Sequence, residues 1–428
     1  MKIAIVGSGI AGLSAAWLLG RHHQVTLFER HSRPGMGAHN LDYTFSNQTV
    51  RIDVPIRAFN QCHYRNLVKF YDLMGVDTLR TDHSAAYSHP SQKAPFFAYR
   101  YLDIGSRSIP RPAGWRHLSF DSARIAADAI RFLVTARRDQ KRGLTEGQTI
   151  SDYLVSRGYS AQFSEQVLLP SFAAIGTCSY RAIRQYPADT IIDFMASGLL
   201  FNGIWRAKGG ADDAIARMLE HCHEQICDTT IVSIRKKSRK GGASGVVLTD
   251  HLKNAHHFDH VILAVQANQV GSMLGEDESL ARKCLSTVGY ERSEVVVHTD
   301  RKLAPGHQQN APPVLFEVDS QQDKPMASIC LNKLYPSLKK APALFQTWNP
   351  LREPAPGTVI GRAFFERPLV TLESLKSLER LRQLHHEPDR VIWYGGSYAQ
   401  PGIPLLESAL QSSMEIAGHL GADIPWLT

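Results

Sequence analysis

The apolar run that opens the chain, Met1 to Gly7, breaks into Gly7-x-Gly9-x-x-Gly12, and no other feature narrows the choice of fold so far. An apolar run bounded by glycine reads as a buried parallel strand. Gly7 permits a tight turn, Gly9 lets backbone approach a pyrophosphate, and Gly12 lets a helix starting near Ile10 pack closely on the strand. Donors at that helix N-terminus, around Ile10 and Ala11, then face negative phosphates. A glycine turn alone is weak evidence. Here it is followed by a helix over Leu13 to Leu19 and a second strand over Gln24 to Phe28, which ends in Glu29 and Arg30. Glu29 lies 20 residues after Gly9, the place from which an acidic side chain accepts hydrogen bonds from an adenosine ribose.

With 428 residues the chain is long enough for two intertwined lobes and a large internal site. Hydrophobic residues at 43% and charged residues at 21% exclude disordered and fibrous classes. No stretch of 18 apolar residues and no cleavage-site pattern is found, so neither a spanning helix nor a signal peptide is expected. Six scattered cysteines without a CxxC pair suit a reducing cytoplasm. The net charge of +8 is concentrated in two runs rather than in a nucleic-acid-binding module. Arg235, Lys236, Lys237, Arg239 and Lys240 lie beside Gly241 and Gly242 and read as a solvated hairpin tip. Arg137, Arg138, Lys141 and Arg142 end a helical pattern from Asp121 to Arg142. That helix has two readings, packing on its own protein, which is favoured, and peripheral contact with anionic lipid or an acidic partner.

Five later segments carry a resemblance. Arg33-Pro-Gly35-Met36-Gly37-Ala38-His39 resembles the second glycine turn of the amine-oxidase-like FAD superfamily, with Met36 where that family has a glycine. Trp205-Arg-Ala-Lys-Gly209-Gly210, with a helical run over Ala214 to Leu219, is similar to the turn that returns the chain to the FAD domain. Ile231-Val232-Ser-Ile and Phe258 to Gln266 resemble the strand beside the adenine and the strand that follows a β-meander. Val391-Ile-Trp-Tyr-Gly395-Gly396-Ser397, with Leu405, Leu406 and Glu407 beyond, resembles the C-terminal flavin motif. Within the superfamily the likeness is to bacterial and plant oxidoreductases found beside or fused to cyclopropane fatty acid synthases. It rests on Asp53-Val-Pro55-Ile-Arg57-Ala-Phe59-Asn60, Tyr64-Arg-Asn66-Leu67, His298-Thr-Asp300 and Trp348-Asn-Pro350. Pro55 stands where a glycine is common in that group.

The resemblance implies an α/β, Rossmann-like FAD-binding domain built from residues 1–60, 203–270 and 386–428, with a mixed-sheet and helical substrate domain from 61–202 and 271–385. It implies noncovalent FAD, although His39 near the second glycine turn also raises a covalent link. It further implies a small-molecule or fatty-acyl substrate, and a lipid-modifying enzyme is a candidate partner. Flavin carries the hard step, so no triad is required. Many amine oxidases place a lysine on a substrate-lobe strand, and the matching strand here, Glu294-Val-Val-Val-His298, has none. His298 is a candidate acid or base, with a structural histidine as the favoured alternative. Arg57 is a candidate partner for a carboxylate, the flavin or a neighbouring acid. Of Trp393 and Tyr394, alternation lets one wall the flavin's substrate side. His221, Cys222, His223 and Cys227 diverge around a helix end, and no metal site is expected there.

Overall fold

A strand buried over four successive residues belongs inside a sheet covered on both faces. Lys2–Val6 is such a strand, and in the computed structural model it sits at the centre of a five-stranded parallel sheet. The strand order is Glu224–Ile226, Gln24–Phe28, Lys2–Val6, His260–Leu263, Ile392–Tyr394, which in chain order is third, second, first, fourth, fifth. This is the doubly wound arrangement, in which ligands bind beyond the strand C-termini. The structure describes residues 1–90, 92, 94–105, 107–114, 119–198, 201–238, 244–304 and 311–427.

The two-residue period divides the central strand between two cores. Ile3 and Ile5 enter a core shared with helices Ile10–Gly20, Gly210–Met218 and Leu406–His419. Ala4 and Val6 enter the other core, beneath the antiparallel meander Ile231–Ser238, Ser244–Asp250, Ala255–Phe258 and the helices Ser279–Ser286 and Leu372–Leu384. The segment read from sequence as one strand from Phe258 divides at Asp259 into the last meander strand and the return strand His260–Leu263.

A second lobe is built on an eight-stranded mixed sheet. Its order is Val359–Pro368, Tyr290–His298, Phe345–Trp348, Met326–Cys330, Val314–Glu317, Ala85–Ser88, Phe97–Ile104, Arg107–Pro112. Only the pair Val314–Glu317 and Ala85–Ser88 is parallel among these neighbours. Helices between Phe120 and Ala196 pack on it through Phe132, Tyr153, Phe163 and Phe172. A short sheet of Phe59–Asn60, Ile204–Ala207 and Thr78–Thr81 joins the lobes.

Packing places three segments differently from the boundaries implied by the resemblance. Arg65–Leu73 contributes Leu67, Phe70 and Tyr71 to the Rossmann-side core, beside Trp17 and Leu410. Ser279–Ser286 and Leu372–Leu384 likewise cover the parallel sheet, through Ala281, Leu285, Leu381 and Leu384. All three are amphipathic helices, and sequence periodicity shows that a helix has a buried face without showing which sheet that face meets.

Of the two basic runs, Arg235 to Lys237 lie on the strand Ile231–Ser238, and the expected tip, residues 239–243, falls outside the described residues. Lys236 is not simply solvated, because its Nζ lies 2.6 Å from Oε1 of the buried Glu278. The other run ends the helix Phe120–Lys141, which buries Ile125, Phe132 and Ala136 against its own lobe. Its opposite side exposes Ile130 and Val134 beside Arg124, Arg131 and Arg138. No helix among the described residues is long and apolar enough to cross a membrane.

Candidate functional site

A cavity of about 1170 Å³ opens beyond the C-terminal ends of the parallel strands and runs to the edge of the eight-stranded sheet. That exceeds the roughly 300–1,000 Å³ of ordinary small-ligand pockets. Of the cofactor residues read from the sequence, all but Gly12 and Gly395 line it. Those two stand behind it and bring the elements together. A Cβ on Gly12 would lie 1.9 Å from the carbonyl oxygen of Gly7, and one on Gly395 would meet Ile416 at 3.3 Å.

The first turn is an anion cradle. Gly9 caps helix Ile10–Gly20 without any side-chain hydrogen bond, so first-turn amides are left for a ligand. A Cβ on Gly9 would touch no protein atom closer than 3.7 Å. Glu29 is buried at the end of its strand, where Oε2 accepts from Ser8 N at 3.0 Å and Ser8 Oγ at 2.5 Å, and Oε1 from His31 N at 2.9 Å. The same Ser8 hydroxyl accepts from Gly35 N at 3.1 Å, and Ser8 O accepts from Met36 N at 3.0 Å. Ser8 therefore ties the two glycine turns to Glu29, a role the x positions of the motif did not disclose. These features fit a dinucleotide.

The second glycine turn meets the loop Asp53–Arg57. Arg57 donates from one terminal nitrogen to Met36 O at 2.9 Å and Gly37 O at 2.6 Å. Gln346, wholly buried on Phe345–Trp348, fixes the loop from the second lobe. Its Nε2 donates to Asp53 O at 3.0 Å and its Oε1 accepts from Ile56 N at 2.9 Å. Asp53 accepts from Ala211 N at 3.0 Å, and burial raises its carboxyl above the usual range. Glu407, in the first turn of the C-terminal helix, accepts from Asn66 N and Leu67 N and so caps Arg65–Leu73, which has no side-chain cap of its own.

The structure places the three candidate catalytic residues apart. Arg57 lines the cavity and His298 and Tyr394 do not. Tyr394 is fully buried beneath the sheet, where its hydroxyl donates to Glu278 Oε2 at 2.6 Å and His385 stacks on its ring. Trp393 also lies outside the cavity lining, in contact with His385 and His419. The glycine pair turns the chain only after both aromatics, which a strand pattern does not reveal. His298 is wholly buried in the second lobe, with Nε2 2.8 Å from Thr347 Oγ1 and its ring against Phe345. His39 lines the cavity, with its ring edge-on to Phe365. His221 packs on Trp17, while His223 Nδ1 accepts from Val25 N, so the histidine and cysteine cluster is engaged separately. Among the described residues no group of three or more His, Cys, Asp or Glu is arranged to hold a metal.

Burial pushes the His298 imidazole down to about 4, against an opposing pull from Asp300. The unfolded chain takes up that proton near 6.5. Between the two values the unfolded state binds more protons, so stability falls as pH drops from 6.5 to 4, by roughly 3 kcal/mol for this group. His298→Gln is expected to flatten the plot of urea-unfolding free energy against pH by about one proton in that window. An unchanged slope would place the titrating group elsewhere.

Fold and site together define a two-lobed protein with a Rossmann-like lobe and a large cavity beyond its parallel strands. Residues 5–73 match the family model of the NAD(P)-binding Rossmann-like domain. No curated protein matches the sequence. Among solved structures, a cofactor-binding redesign of putrescine oxidase superposes with a TM-score of 0.66 at 13% identity, over 98% of this chain and 99% of that one. A Methanosarcina mazei oxidoreductase gives 0.63 at 14% identity, over 97% and 100%. A CLA-producing fatty acid isomerase from P. acnes gives 0.64 at 13% identity, over 96% of both chains. The chain shares the fold of these three proteins along nearly its whole length.

Proposed function

We propose that the cavity binds FAD noncovalently and that the protein transfers hydride between flavin and a small or lipid-like substrate. The observation that carries this is the continuity of the cavity from the glycine cradle and Glu29 to Phe364, Phe365 and Arg367 on the second lobe. Such a shape suits an extended dinucleotide whose reactive end meets the substrate sheet. Gly7 to Ala11 would face the pyrophosphate, Glu29 the adenosine ribose and Val232 the adenine. Gly35, Gly37, Gly396, Ser397, Leu405 and Leu406 would surround the flavin half. Flavin, when bound, supplies the electron-accepting chemistry. The chain orients both molecules and excludes water between the lobes.

Two reactions fit this arrangement. The first is dehydrogenation of a carbon–nitrogen or carbon–carbon bond, and putrescine oxidase is a structural neighbour. The second is redox-neutral isomerisation of a double bond, and a fatty acid isomerase is another neighbour. One observation favours the second: no lysine lines the cavity among the described residues.

The test is an absorption spectrum of the purified protein, followed by denaturation and separation of chromophore from chain. Flavin bands with FAD in the supernatant support the reading, and a colourless protein that takes up no added FAD overturns it. Oxygen uptake with peroxide release would select the oxidase, and isomerised substrate without net flavin reduction the isomerase.

A further inference from the structure

A half-buried guanidinium is matched best by an anion or a full set of acceptors. Arg367 has neither. It stands near the end of strand Val359–Pro368 and lines the cavity, yet no carboxylate lies within ion-pair distance of it among the described residues. The ionisable groups acting on it besides Arg57 are the phenols of Tyr64 and Tyr186. Arg57 faces it from the other lobe. One of its terminal nitrogens is taken by Met36 O and Gly37 O, while its Nε is buried without a partner.

The one carboxylate acting on Arg57 is Asp53, which accepts from Ala211 N and also faces Arg206. Asp53 therefore does not balance two arginines. Burial and the like charge of Arg367 together pull Arg57 down to about 10. Two guanidinium groups that line one cavity from opposite lobes repel each other. The arrangement is intelligible if something negative completes it.

We propose that Arg57 and Arg367 form a two-sided clamp for a carboxylate carried by the substrate. Planar, fork-shaped donors suit a carboxylate better than a point charge does. Phe364 and Phe365 beside the clamp supply apolar surface for the rest of the molecule. An ammonium group in the same place would meet two like charges, so the site selects acids over amines. The pyrophosphate of a dinucleotide is the other anion available, and its cradle is at Gly9 and the start of helix Ile10–Gly20. Arg57 instead grips the second glycine turn, and Arg367 belongs to the second lobe. The proposal rests on the reading that the cavity holds FAD, and its test keeps the two separable.

The flavin content of wild type, Arg367→Met and Arg367→Lys is measured first, with circular dichroism to confirm folding. Isothermal calorimetry on each holoprotein then compares octanoate, oleate and octylamine. Octanoate or oleate is expected to bind wild type at least tenfold more tightly than Arg367→Met, with Arg367→Lys between them and flavin content equal in all three. In protein stripped of ligand, Arg367→Met is expected to raise Tm, because it removes a like charge facing Arg57. The proposal is overturned if octylamine binds wild type as tightly as octanoate, or if Arg367→Met loses flavin while keeping acid affinity, which would assign the clamp to the cofactor. A wild type without flavin that still prefers acids through Arg367 would sink the FAD reading and leave the clamp standing.

Discussion

Gly12→Ala is expected to lower Tm sharply and to loosen whatever FAD the protein carries. The added Cβ would lie 1.9 Å from Gly7 O, 3.1 Å from Gly7 C and 3.3 Å from Ala264 Cβ. Backbone cannot give way as the tip of a flexible side chain can. Helix Ile10–Gly20 would have to lift from the central strand, and its residues Ile10 to Leu19 are all buried. The cost is expected to be about 3 kcal/mol, the upper part of the usual range for overpacking. Gly9→Ala makes the contrast. Its Cβ meets no protein atom closer than 3.7 Å, and Gly9 lines the cavity. That variant is expected to keep its Tm and lose FAD affinity at least tenfold, about 1.4 kcal/mol. Thermal unfolding and flavin titration of the pair check both statements, and equal loss of Tm in the two variants would refute the assignment of Gly9 to the ligand.

The contrast also shows what kind of information the sequence carried. The glycine turn, Glu29 and the paired glycines at 395 and 396 are local signals, because each needs a backbone conformation or close approach that few residue types allow. They placed the parallel sheet, and the cofactor residues read from them line one cavity, Gly12 and Gly395 excepted. The catalytic candidates were less legible. Tyr394 and His298 are chemically capable residues on strands, and whether such a residue faces a ligand depends on which layers cover the strand. Strand Ile392–Tyr394 is buried on both sides, so no alternation of polar and apolar residues distinguished its faces. Gln346 and Arg367 gave no signal for a different reason. Their roles depend on loops more than 200 residues away in sequence, Asp53 to Arg57. A polar residue between apolar ones, as in Phe345-Gln-Thr-Trp, is as common at a solvated sheet face as at a buried clamp.

Glu278→Leu is expected to be the most destabilising substitution away from the cavity, more so than Arg390→Met at the other end of the same ion pair. Both side chains are almost wholly buried, and the pair is bidentate, with nitrogen to oxygen distances of 3.1 and 2.9 Å. The carboxylate also receives Tyr394 OH at 2.6 Å and Lys236 Nζ at 2.6 Å. Removing Arg390 therefore leaves Glu278 with two donors. Removing Glu278 strands the guanidinium with Ile392 O and the exposed Glu387 at 3.6 Å. Breaking one side of a buried pair costs about 3–5 kcal/mol, and Glu278→Leu should lie at the top of that range and Arg390→Met at or below its foot. The double variant is expected to recover most of the loss, since the charge then left without its partner is Lys236, which reaches solvent. The pH dependence is fixed in sign. Burial would raise the Glu278 carboxyl, but Lys236, Tyr394 and Arg390 outweigh it and hold it below its usual 4.5. A depressed carboxylate lends stability above its unfolded value and loses it as pH falls through the folded one, so this contribution fades below about pH 4. Urea unfolding of the single and double variants at pH 7 and pH 3 measures it. If Glu278→Leu and the double variant were equally unstable at pH 7, the stranded charge would not be the cause.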